Sequence, residues 1–170
     1  MGEGSNESRN EGRTNPVENV SWDDAQKFIQ KLNEKEGVKQ YRLPTEGEWE
    51  HAARAGSETE WFFGTDEKAL DQYAWCPAKS THPVGQKEPN PWGLYDIYGN
   101  VWEWVEDRYG EFKAEVVTDP KGPSEGSGRV LRGGSWGSRA EDCRSAYRFG
   151  NLPDRRYDGV GFRLAFSPGE

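Results

Sequence analysis

The chain has 170 residues, which fits one domain with a sizeable core. Its net charge of −8 repels phosphate backbones and argues against nucleic acid as a partner, and no run approaches the ~18 apolar residues of a membrane span. Only 32% of residues are hydrophobic, but 8 Trp, 7 Tyr and 7 Phe each bury a large area and can close a core, while 21 Gly and 10 Pro point to a loop-rich fold.

Residues 1–14 are charged, small and aperiodic, and are expected to be disordered, with a single domain over 15–168. The N-terminus has no apolar leader, so the chain as given reads as cytoplasmic; a secreted or surface location would require a leader that has been removed. Ser21 is a good N-cap and Asp24 completes a capping box. Trp22, Ala25, Ile29 and Leu32 recur at helical spacing up to the stop at Gly37, which predicts a helix over about 22–35. Thr45 and Glu48 repeat the capping pattern, Trp49, Ala52 and Ala53 form an inner face, and Gly56 is the stop for a second helix over about 46–55. Beyond Gly56, short apolar pieces at 61–63, 93–95, 102–105, 129–132, 144–148 and 162–166 read as strands and bends. Irregular connections over about 64–92, 107–128 and 149–160 lie between them; loops of that length are usually functional or mobile. Two helices followed by a small antiparallel sheet make an α+β pattern.

Several groups could carry chemistry. The stretch 93–104 is dense in oxygen ligands, with carboxylates at Asp96 and Glu103 and a glycine at 99 that allows a tight turn. Calcium favours such a set; the plain alternative is a turn with two solvated acids and buried tryptophans. His51 and His82 match no zinc spacing. Cys76, between Trp75 and Pro77, reads as a packing residue. Cys143 has cations near it that favour a thiolate, but Glu141 and Asp142 oppose this, so its local sequence reads as structural. The two cysteines could form one bridge, although no spacing argues for it. Gly133 and Gly134 allow backbone or ligand to approach closely, and 149–159 offers aromatic, amide and charged groups suited to a contact surface.

The ordered motifs Asn15-Pro16-Val17, Arg42-Leu43-Pro44-Thr45-Glu46, Gly99-Asn100-Val101-Trp102-Glu103-Trp104, Arg132-Gly133-Gly134-Ser135-Trp136 and Gly161-Phe162-Arg163 resemble the formylglycine-generating-enzyme, or sulfatase-modifying-factor, family over about 15–166. The resemblance implies a C-type-lectin-like fold whose N-terminal portion this chain lacks. It also implies a calcium site in which Asp96 and Glu103 give side chains and Gly99 and Val101 give carbonyls. Active members oxidise a sulfatase cysteine to formylglycine with copper held by two cysteines, since soft thiolates suit Cu(I). Ser135 matches the active-site serine and Cys143 the second copper cysteine, but the first falls on Ser138, a poor ligand for Cu(I).

Variable proteins of diversity-generating retroelements use the same fold, with ligand-contacting residues near the Arg-Gly-Gly-Ser-Trp motif and beyond. On that analogy the contact residues would be Ser138, Glu141, Asp142, Phe149, Asn151, Arg156, Tyr157 and Asp158. The expectation is a catalytically degenerate module that binds a protein or other surface ligand through its C-terminal loops. The alternatives are an oxidase that converts a protein cysteine to formylglycine, with Cys143 and Ser135 catalytic, and a structural domain of a larger assembly.

Overall fold

The computed structural model describes residues 8–9, 12–111 and 117–168. Most of the stretch expected to be disordered (1–7, 10 and 11) lies outside the described residues. Of its described residues, Ser8 and Arg9 bond to Glu18, and the Thr14 carbonyl accepts from the Val84 N–H at 2.9 Å.

Helix α1 (Trp22–Glu36) begins as its capping box requires, with both reciprocal Ser21–Asp24 bonds in place, and it ends on Gly37 at φ 69°. Helix α2 (Glu46–Arg54) carries the Thr45–Glu48 box. It closes one residue before the expected Gly56: Ala55 itself takes the left-handed conformation at φ 46° and bonds back to the His51 carbonyl. Within the expected irregular span 64–92, a 3-10 turn over Glu67–Ala69 leads into a short helix α3 (Leu70–Tyr73).

Strands β1 (Tyr41–Arg42) and β6 (Ala165–Phe166) form a small antiparallel ladder. A four-stranded sheet follows the order β4-β3-β2-β5, built from β2 (Trp102–Arg108), β3 (Arg129–Arg132), β4 (Arg148–Asn151) and β5 (Val160–Phe162). Its first two pairings are antiparallel, as expected, whereas β5 runs parallel to β2 because the long return after β4 brings the chain back in the same direction. The expected strand at 61–63 is reduced to a bridge between Trp61 and Gly64, and 93–95 forms no strand because the Asn90 side chain gathers that turn by accepting from the Trp92 and Leu94 N–H groups.

Strand alternation divides the molecule. On one face Trp104, Leu131 and Phe149 are in register, and Trp104 and Leu131 pack with Ala25 and Ile29 of α1. On the other, Val105 and Val130 pack with Trp49 and Ala53 of α2. That second face also carries charge. Fully buried Arg132 pairs with Glu46 and Glu50 of α2, and Arg148 pairs with Glu46 at 2.6 Å. Arg132 also donates to the Ser145 and Tyr147 carbonyls, both at 2.7 Å. Arg54 also pairs with Glu50, at 2.8 Å, so each glutamate is shared between two arginines, which is what makes so buried a set tolerable.

Arg132→Leu removes the one fully buried cation of the group: Glu46 keeps Arg148 and Glu50 keeps Arg54, but both lose their innermost partner, and the Ser145 and Tyr147 carbonyls lose their charged donor. The expected loss is about 3–5 kcal/mol in urea unfolding. A loss under about 1 kcal/mol, the value of an ordinary surface pair, would contradict this reading.

Candidate functional site

After β3 the chain turns sharply at Gly133 (φ 92°) and Gly134 (φ 77°). A Cβ at Gly134 would lie 2.4 Å from the Cys143 sulfur, so only glycine lets this segment cross that thiol. The turn that follows is closed by serine hydroxyls: Ser135 N–H donates to Ser138 Oγ at 2.9 Å, and the two Oγ atoms lie 3.4 Å apart. Trp136 then pins this turn to the last loop, its indole N–H donating to the Asp158 carbonyl at 3.0 Å.

Between that turn and the α1-side face of the sheet lies a concavity of about 520 Å³. Ser138, Asp142, Phe149, Asn151, Tyr157 and Asp158, all expected as contact residues, line it, and so does Ser135. The other two expected contacts do not: Glu141 is held by Arg139 at 2.7 Å, and Arg156 makes a two-pronged bond to Asp24 at 2.6 and 2.9 Å. Arg156 thereby ties the last loop to the start of α1, and it holds the Asp24 carboxyl well below the usual carboxylate range.

Trp102, Trp136 and Tyr147 complete the wall. The Trp102 ring sits 5.9 Å from both Tyr147 and Phe149, tilted by 43° and 39°, which makes an aromatic corner. Alternation along β2 was the signal for Trp102, since it shares a face with Trp104. Phe149 and Tyr157 remain 47% and 46% exposed at the rim. Burial, and then the nearby Asp142 carboxylate, push the Tyr147 phenol upward.

Cys143 does not belong to this cavity. It is completely buried, and its thiol donates to the Cys76 sulfur at 2.8 Å; the Cys76 thiol donates in turn to the Ser138 carbonyl at 3.2 Å. That hydrogen bond, and then burial, drive the Cys143 thiol well above the ordinary thiol range. The residues at 138 and 143 therefore do not fit a copper pair: one is a hydroxyl that closes a turn, the other a protonated core thiol.

Asp96, Gly99 and Val101 lie in the loop before β2, where Asp96, Gly99 and Asn100 are all left-handed, at φ 51°, 71° and 57°, and Glu103 is the second residue of β2. Both Glu103 oxygens already accept from Arg163, at 2.6 and 2.7 Å, and one also accepts the Trp49 indole N–H at 2.7 Å. Asp96 Oδ2 accepts from the Gly85 N–H at 2.7 Å, whereas Oδ1 is buried without a partner. The set thus fits a hard cation only on its Asp96 side; on the Glu103 side Arg163 supplies the charge. Among the described residues no group of three or more His, Cys, Asp or Glu side chains is placed to hold a metal ion. His51 edges against Trp92 and His82 stacks on Trp75, which keeps the histidines apart.

The sulfatase-modifying factor enzyme 1-like domain model, FGE-sulfatase, matches residues 1–168. The chain belongs to the FGE-sulfatase family. It is 38% identical over 175 residues to the formylglycine-generating enzyme of Streptomyces coelicolor, which covers 91% of this chain and 54% of that protein. It is 39% identical over 154 residues to the serine/threonine-protein kinase pkn1 of Chlamydia caviae, covering 88% of this chain and 24% of that protein. The chain therefore spans between about a quarter and a half of these curated relatives. Among solved structures, Treponema denticola variable protein 1 superposes with a TM-score of 0.91 at 34% identity, covering 96% of this chain and 78% of that one. This FGE-sulfatase domain shares the C-type-lectin-like fold of that neighbour, and among its described residues no helix is long and apolar enough to cross a membrane.

Burial raises the Asp96 carboxyl, so its ionised form is disfavoured in the folded domain. This cost is fully present above the raised folded pKa and absent below the unfolded one. In chelator at pH 7, Asp96→Asn is expected to melt at or above the parent temperature, with the gap closing as pH falls through the carboxylate range. An Asn variant that melts lower in chelator at pH 7 would refute this.

Proposed function

We propose that this FGE-sulfatase domain is a catalytically degenerate binding module. Its C-terminal segment, in the manner of a variable protein, presents the aromatic cavity and its rim to a protein ligand. One observation carries the reading: the positions that the enzymes give to copper thiolates hold here a turn-closing Ser138 hydroxyl and a Cys143 thiol turned into the core, beside an open concavity. Phe149 and Tyr157, large and exposed at its edge, are the kind of anchor that dominates a binding interface. The alternative, oxidation of a protein cysteine to formylglycine, draws support from the similarity to the Streptomyces coelicolor enzyme and from Ser135 on the cavity wall.

A displayed peptide library panned on the immobilised protein, with the enriched binders then measured on Phe149→Ala/Tyr157→Ala, tests the binding reading. Enriched binders should lose at least about 30-fold in affinity on the double variant, the size of an interface hot spot. Binders that hold both proteins equally would remove these residues from the contact surface.

We also propose that calcium binds on the Asp96 side of the 96–103 segment, where the unpartnered Oδ1 and the carbonyls of Gly99 and Val101 offer oxygen, and where Glu103 joins only by releasing Arg163. Calcium at about 100 times Kd should raise the melting temperature by on the order of 5–10 °C, and Asp96→Ala should abolish the rise. Equal melting in millimolar calcium and in chelator would exclude the site.

A further inference from the structure

The two cysteines are 67 positions apart in sequence, yet their sulfurs touch at 2.8 Å. Neither backbone around them is free to drift. The Trp75 carbonyl accepts from the Asn100 N–H at 3.1 Å and Trp75 bridges to Gly99, which fixes the segment before Cys76. On the other side, Cys143 ends a 3-10 turn over Ala140–Cys143, and Gly134 lies against its sulfur where no side chain could fit. The separation is too short for a shared metal: two thiolates at roughly 2.3 Å from one ion hold their sulfurs farther apart than this.

We propose that Cys76 and Cys143 are an oxidisable dithiol, a disulfide-forming modification site that couples the redox state of the surroundings to the turn carrying Ser138. Bond formation needs the sulfurs to close from 2.8 Å to roughly 2.0 Å. In the reaction each thiol gives up its hydrogen and one S–S bond forms. The two electrons and two protons pass to a small-molecule disulfide of the glutathione class, which is cleaved to two thiols. Attack proceeds through a mixed disulfide on one cysteine, and the other displaces the small thiol. Both sulfurs are buried, at 7% and 0% exposure, so exchange takes place on the folding chain or in a local opening rather than at the closed surface.

Both states are compatible with the fold. In the dithiol, Cys143 donates to Cys76 and Cys76 donates to the Ser138 carbonyl, so neither S–H is stranded. In the disulfide, both S–H donors are gone and the Ser138 carbonyl is released. Ser138 lines the cavity, and Asp142, another lining residue, sits next to Cys143, so the crosslink anchors this wall of the cavity to the 74–78 segment. A covalent tie across 67 residues also removes freedom from the unfolded chain.

The test is refolding of the full chain from denaturant in glutathione buffers, one oxidised and one reduced, followed by intact mass, thiol counting in denaturant and thermal melting. The oxidised sample should lose two hydrogens in mass and show no free thiols, and it should melt on the order of 10 °C above the reduced one. Cys76→Ser and Cys143→Ser, examined separately, should each keep one thiol and show no oxidant-dependent shift in melting. If either variant fails to fold, the wild-type mass and thiol count decide alone. Two free thiols per chain after oxidative refolding, or a crosslinked product that melts no higher than the reduced protein, would overturn the proposal.

Discussion

The guanidinium of Arg132 is the fixed point of this domain. It is shielded from water, so it must be answered by charge and by carbonyls, and each answer comes from a different part of the chain. Glu46 and Glu50 fix the position of α2, and the Ser145 and Tyr147 carbonyls fix where the chain enters β4. Trp49 of α2 then brings its indole to Glu103, which Arg163 neutralises beside β5. One connected set of ion pairs therefore spaces the helix, both ends of the sheet and the segment from which Tyr147 and Phe149 project.

That ionic face leaves the opposite face of the sheet free for aromatic residues. Alternation sends Arg132 and Arg148 one way and Leu131 and Phe149 the other, so the charges that hold the structure are kept out of the cavity. The cavity is bounded by a serine-closed turn whose carbonyl is held from behind by Cys76, and by a last loop clamped to α1 through Arg156 and Asp24. In this domain cysteine packs and supports that turn from within, while the cavity surface is aromatic, amide and carboxylate. Such a surface suits recognition; two thiolates converging on a soft metal would be built differently.

Local chemistry was legible in the sequence and distant pairing was not. The Ser21–Asp24 and Thr45–Glu48 boxes announced α1 and α2 because capping is decided within four residues. Strand β3 was visible as an apolar run between glycines. The expected strand at 144–148 instead became β4 at Arg148–Asn151, because Arg132 captures the Ser145 carbonyl and holds the chain off the ladder until Tyr147 has passed. Six of the eight contacts expected from the variable-protein analogy line the cavity, while Glu141 and Arg156 are diverted by Arg139 and Asp24. No local pattern could show that Arg163 reaches Glu103 across 60 positions, or that Cys76 meets Cys143.

We propose that this domain recognises a ligand without copper chemistry. Its most direct test is incubation of the purified protein with Cu(I), oxygen and a peptide bearing a sulfatase-type Cys-x-Pro-x-Arg motif, followed by mass spectrometry of the peptide, under conditions in which an active family enzyme converts it. An unchanged peptide is expected. Conversion of its cysteine to an aldehyde, lost in Cys143→Ala, would make the domain an oxidase and overturn the binding-module reading.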